Sequence, residues 1–146
     1  MDTPLFDDFI AYAQANASVF TYWNMVLDQD RTSTWGWPQN SLCTAKTDTG
    51  ELVFNPDFEV FEMLGRALRP GAVRVRSFSY LANTACFRNP AGTFALLLRN
   101  LEGPRKIEVT LDGNTQAVDL PGHSLCCIQL GHRFHDNSKH QEESHS

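Results

Sequence analysis

The chain has no cluster of lysines or arginines, and its 12 basic residues against 17 acidic ones leave a net charge of −5. Nucleic acid and anionic membrane surfaces are thereby disfavoured as partners, because both are held through basic patches. No apolar run approaches the roughly 18 to 20 residues of a transmembrane helix. The start, Met1-Asp2-Thr3-Pro4, lacks the basic and apolar regions of a signal peptide, so no export signal is expected. Cys43, Cys86, Cys126 and Cys127 lack the close pairing and accompanying ligands of a metal site, and no metal is expected. They read as small buried hydrophobes, with a disulfide from Cys86 to Cys126 or Cys127 as the alternative. Being strand neighbours, Cys126 and Cys127 should face opposite ways. A phosphate-cradling glycine loop, a Ser/His/Asp arrangement and a Cys/His dyad are all missing.

What the chain does have is 42% hydrophobic residues, with ten Phe and three Trp, enough to build a core. Thr3-Pro4 reads as a helix start, with Asp7 and Asp8 at the positive end of the dipole. Leu5, Phe6, Phe9, Ile10, Ala13 and Ala17 then form one helical stripe, giving a helix over 3–16. Val19 to Leu27 is almost wholly aromatic or aliphatic without alternation, as in a parallel strand buried on both faces. A polar, Trp-bearing loop follows over 28–41. Leu42 to Ala45 and Glu51 to Phe54 flank a hairpin turn ending in Gly50. Asn55 and Pro56 then open a helix to residue 68, whose expected apolar face is Phe58, Phe61, Leu64 and Leu68.

After Gly71 the period changes from helical to two. Strands are expected over 72–80, 84–88, 93–100, 106–111, 116–120 and 124–130, separated by the turn signals Asn89-Pro90-Ala91-Gly92, Glu102-Gly103-Pro104, Asp112-Gly113-Asn114 and Pro121-Gly122-His123. That pattern predicts an antiparallel β-sandwich. On it, Arg88 and Arg99 take outward positions and read as surface charges. The polar, His-rich stretch 131–146 reads as a disordered tail. The expected fold class is α+β: helix, strand and helix over 1–71, then a sandwich over 72–130.

The run Tyr22-Trp23-Asn24-Met25-Val26-Leu27-Asp28 with Ser33-Thr34-Trp35-Gly36-Trp37-Pro38-Gln39-Asn40-Ser41 resembles the last barrel strand, and the loop after it, of glycoside hydrolase family 30, which contains the glucosylceramidases. Phe54-Asn55-Pro56-Asp57-Phe58, Arg69-Pro70-Gly71-Ala72, Arg88-Asn89-Pro90-Ala91-Gly92-Thr93 and Leu120-Pro121-Gly122-His123-Ser124 continue the resemblance in the family's order, over about 5–130. The resemblance implies a C-terminal part: the end of a (β/α)8 barrel with most of its side domain. A whole barrel needs roughly 250 residues. It further implies that both catalytic glutamates lie on earlier strands, and that complete members cleave β-linked sugars from glycolipids or glycans by double displacement without a cofactor. Complete members are expected to be extracellular or lysosomal.

A retaining glycosidase needs two carboxyl groups about 5 to 5.5 Å apart. Asp28 and Asp30, leaving the strand together, come closest here, but loop acids of this kind are commonly turn formers and no catalytic residue is assigned. By resemblance Trp23 lines the sugar pocket, giving a flat apolar platform for a sugar ring at a strand's C-terminal end. Asn24 and Asn40 are the accompanying candidates for substrate binding. If Trp23 points inward, strand alternation would turn Asn24 elsewhere. Trp35 and Trp37 either overhang the pocket or pin the loop. The expected function is thus the C-terminal portion of a β-glycosidase, inactive alone and able to associate with a complementary barrel chain. The alternative is a stand-alone, non-catalytic sandwich that binds carbohydrate or another protein.

Overall fold

The computed structural model describes residues 4–81 and 83–131. The expected cap at Thr3 and most of the expected tail, 132–146, lie outside the described residues. Helix α1 (Pro4–Gln14) buries Leu5, Phe6, Ile10 and Ala13. Ala17, placed on the same stripe by its spacing, falls beyond the helix end and is exposed.

The strand expected over 19–27 is the main correction to the sequence reading. Only Val26–Asp28 (β1) forms a ladder, pairing in parallel with β2 (Cys43–Lys46). The preceding residues form no ladder, although the Asn24 and Met25 carbonyls accept from the Leu42 and Cys43 N–H groups at 3.2 and 2.9 Å, and Asn24 interrupts the run at φ 70°. A strand buried on both faces needs partners on both edges and layers on both sides. Here one edge of β1 has no partner among the described strands, and Val19, Trp23, Met25 and Val26 are exposed.

β2 turns back into β3 (Glu51–Phe54) through Gly50, whose φ of 74° suits glycine. Asn55 holds the N-cap position of α2 (Pro56–Ala67), yet its side chain makes no cap bond. Its amide instead donates to the Ser41 carbonyl at 2.8 Å and to Thr44 Oγ1 at 3.1 Å, tying the helix start to β2. Of the face expected on α2, Leu64, Phe61 and Leu68 join the core, while Phe58 packs elsewhere. Asp57, Val60, Leu64 and Ala67 are buried, while Phe58 meets Phe54 and Phe61 meets Phe20 and Tyr22. The helix is therefore apolar on two adjoining faces.

The remaining strands follow the period-two reading: β4 (Val73–Val75), β5 (Ala85–Arg88), β6 (Phe94–Asn100), β7 (Arg105–Leu111), β8 (Asn114–Leu120) and β9 (Ser124–Leu130). Only β4 is much shorter than expected. β4-β5-β6-β9 form one antiparallel sheet, and β7-β8 form a hairpin that faces it. The architecture is α+β, mostly antiparallel, with a sandwich-like pair of β layers and no closed barrel among the described residues.

Alternation along β6 explains the layering. Ala95 and Leu97 join Phe87 and Ala85 against both helices, while Phe94 and Leu98 join Cys86, Ile107, Val109 and Leu120 against the hairpin. With both faces of β6 covered, Arg99 is not a surface charge as expected. Its side chain is 12% exposed and pairs with Asp7 of α1. Arg88 is exposed, as its spacing suggests.

Two buried amides lock the turns. Asn89 donates to the Ala67 carbonyl at 3.0 Å and accepts from the Arg69 N–H at 2.9 Å, closing the end of α2 against the β5–β6 turn. Asn100 donates to the carbonyls of Gly103 and Pro121 at 3.1 and 2.7 Å. Between those turns, a Cβ on Gly122 would come within 3.0 Å of Pro104, so the close approach requires glycine.

All four cysteines are free thiols. The alternative disulfide does not form because β6 lies between β5 and β9. Strands two apart are separated by nearly 10 Å, beyond disulfide reach. Cys127 packs toward the helices and Cys126 toward the hairpin, as alternation requires. Burial pushes the thiols of Cys86 and Cys127 upward in pKa, which keeps them protonated and unreactive.

Candidate functional site

Four stretches of the chain meet at one cleft of about 410 Å³: one side of α1, the segment 20–24, the loop before β2 and the start of α2. Its lining includes Tyr12, Tyr22, Trp23, Asn24, Asn40 and Asp57. All three expected substrate-binding residues, Trp23, Asn24 and Asn40, are thus brought together. Strand alternation would have sent Asn24 away from Trp23. The positive φ at Asn24 breaks that alternation, so both side chains reach the same cleft.

The loop that carries Asn40 folds as a small hairpin. Thr32 bridges Pro38, the Ser33 N–H donates to the Trp37 carbonyl at 2.9 Å, and Gly36 supplies φ 78° at the tip. Trp35 and Trp37 lie near each other, with ring centroids 6.2 Å apart, and neither lines the cleft. Both are exposed, at 69% and 65%, and meet each other rather than the body of the fold. Asp28 and Asp30 do not line it either. Asp28 Oδ1 accepts from the Asp30 N–H at 3.1 Å, the behaviour of a turn former.

The polar rim is held from within. Asn24 Nδ2 donates to Gln39 Oε1 at 2.7 Å, and Arg31 donates to Asn40 Oδ1 at 2.7 Å. These bonds leave Asn24 Oδ1 as an acceptor and Asn40 Nδ2 as a donor without a protein partner among the described residues. Beside them stands the Trp23 indole, 71% exposed. A flat apolar ring flanked by an amide donor and acceptor suits a ligand with a CH face and hydroxyl edges.

Deeper in the cleft lies a pair that sequence reading missed. The Tyr22 hydroxyl donates a hydrogen bond to Asp57 Oδ2, and Asp57 is buried. Burial raises the Tyr22 pKa well above its ordinary 10.0, the hydrogen bond and charge of Asp57 raise it further, and Arg31 opposes weakly. The phenol therefore stays protonated as a donor. The available sequence signal was weak: an acid in the first helical turn reads as a dipole partner, with nothing to mark a tyrosine 35 residues earlier. Asp8 of α1 is the second acid on the lining, and it is exposed. Among the described residues no group of acids, histidines and cysteines could hold a metal, and no helix is long and apolar enough to cross a membrane.

No protein-family model and no curated protein matches the chain. Solved structures do. The chain is similar to the endo-beta1,6-glucanase BT3312, at 27% identity and a TM-score of 0.68, over 87% of this chain and 31% of that one. It is also similar in fold to SrfJ from Salmonella typhimurium, at 21% identity and a TM-score of 0.80, over 89% of this chain and 30% of that one. The chain spans about a third of the length of these structures. Its fold is shared with a part of a glycosidase.

Proposed function

We propose that this chain corresponds to the C-terminal, sandwich-bearing part of a retaining β-glycosidase of family 30, and that Trp23, Asn24 and Asn40 line its sugar subsite. The observation that carries the reading is the combination of that partial glycosidase likeness with an exposed apolar belt beside an unpaired strand edge. Val19, Met25 and Val26 beside or in β1, and Tyr12 on α1, are all more than half exposed. Exposed apolar residues beside an open strand edge suit a place where more polypeptide packs. A barrel supplying further strands would cover the belt and carry the two carboxyl groups that double displacement requires. The substrate class is a β-linked glucan or a glycolipid of the glucosylceramide type.

One observation favours a second reading, a stand-alone binding module. Between the four-stranded sheet and the β7–β8 hairpin runs an apolar groove of about 660 Å³, flanked by the exposed Phe78 and Tyr80. A free module would bind carbohydrate or protein there and would leave the Trp23 cleft unused. Titration of the purified chain with soluble β-glucan separates the two. Binding lost in Phe78→Ala and retained in Trp23→Ala supports the module. Binding that appears only after a barrel chain is supplied, and is lost in Trp23→Ala, supports the glycosidase reading.

A further inference from the structure

We infer that Tyr22 and Asp57 are positioning residues for the Trp23 platform: their hydrogen bond, acting with the Asn24 amide, sets the direction of the exposed indole. Trp23 is 71% exposed. Its ring makes no hydrogen bond and no ring contact with the described residues, so neither kind of interaction sets its direction. Its aim must come from the two residues that flank it.

On one side, Tyr22 is anchored twice to α2. Its ring lies 6.1 Å from that of Phe61, and its hydroxyl bonds the buried carboxylate of Asp57. On the other side, Asn24 sits at φ 70° and donates to Gln39, while the Leu42 N–H donates to its carbonyl at 3.2 Å. A single residue between two such anchors has little backbone freedom left. Releasing the Tyr22 anchor frees it, because residues 19–23 belong to no strand and only the bonds at Asn24 and Met25 remain on the other side. A platform misaligned by about 1 Å loses most of its value to a bound sugar.

The proposal rests on the reading of Trp23 as a sugar platform only for its functional meaning. The positioning itself can be measured without sugar. The experiment is nanosecond fluorescence anisotropy of Trp23 in a Trp35→Phe/Trp37→Phe background, below about 1 µM to limit association. Fast local motion of an exposed side chain falls in the picosecond to nanosecond range that this decay reports. Tyr22→Phe keeps the ring on Phe61 and removes only the hydroxyl. We expect it at least to double the amplitude of the fast component, and Asp57→Ala to do the same. The double variant should show no further increase, and Asp57→Asn, which keeps an acceptor for the hydroxyl, should restore the parent decay. An unchanged decay in folded Tyr22→Phe, or additive effects in the double variant, overturns the proposal. If Asp57→Ala does not fold, Tyr22→Phe and Asp57→Asn still decide it. Ordered Trp23 that contributes nothing to sugar binding would instead count against the platform reading.

Discussion

The guanidinium of Arg99, in the buried middle strand of the sheet, pairs with the carboxylate of Asp7 on α1, 92 residues earlier in the chain. Asp7 also accepts from Asn83 at 2.8 Å, so one acid joins the first helix to two parts of the β layer. With the Arg99 side chain only 12% exposed, loss of Asp7 leaves a poorly solvated cation with less compensation. We expect Asp7→Ala to cost about 2 kcal/mol, or roughly 3 to 6 °C in Tm. Truncating the exposed Arg88 should change stability by less than about 0.5 kcal/mol. Equal effects in thermal unfolding would show that the pair contributes nothing special.

Tyr22 makes alkaline stability testable. Its folded-state pKa lies above the ordinary 10.0. The stabilisation tied to its protonated form is therefore fully present below pH 10 and is lost as pH rises toward the folded value, because the unfolded chain releases the proton first. Chemical denaturation at pH 9 and pH 11 should show a larger loss for the parent than for Tyr22→Phe, which has no proton to release. Parallel losses would contradict the burial of that phenol against Asp57.

Asn89 should matter more than a turn residue usually does. Its amide satisfies the Ala67 carbonyl at the end of α2 and its carbonyl holds the Arg69 N–H. Asn89→Ala leaves both without their partner and is expected to cost about 2 to 3 kcal/mol by urea unfolding. A change under about 0.5 kcal/mol would show that water replaces both bonds freely.

These residues show what was legible in the sequence. Strands β5 to β9 were readable because period-two alternation and Gly/Asn/Pro turns are local signals. Alternation tells which side chains share a face, not what covers that face, and so Arg99 was read as a surface charge although α1 lies over it. The strand expected over 19–27 failed for the complementary reason: its composition records burial, but pairing depends on partners that the described residues do not supply. In the cleft, Trp23 and Asn40 were legible as residue types in a recognisable pattern. The Tyr22–Asp57 bond was not, since it joins two elements 35 residues apart and neither residue breaks a local rule.

If Trp23 is the platform and Trp35 only stabilises its loop, their truncations should differ. In the chain completed by a barrel, Trp23→Ala is expected to lower glycosidase turnover at least tenfold more than Trp35→Ala, because a lost platform misplaces the sugar against the carboxylates. Steady-state kinetics on one β-glucoside would check this. Equal rates for the Trp23 variant and the parent would remove Trp23 from the sugar subsite.

The central claim, that this chain corresponds to one part of a β-glycosidase and depends on another, is tested most directly by assaying an activated aryl β-glucoside with and without a family 30 barrel fused ahead of residue 4. The expected result is no turnover from the chain alone, self-association at micromolar concentration through Tyr12, Val19, Met25 and Val26, and turnover with a monodisperse particle once the barrel is present. Turnover by the chain alone that survives repurification and vanishes in Asp28→Asn or Asp30→Asn would contradict it, as would a fusion that folds and never hydrolyses the glucoside.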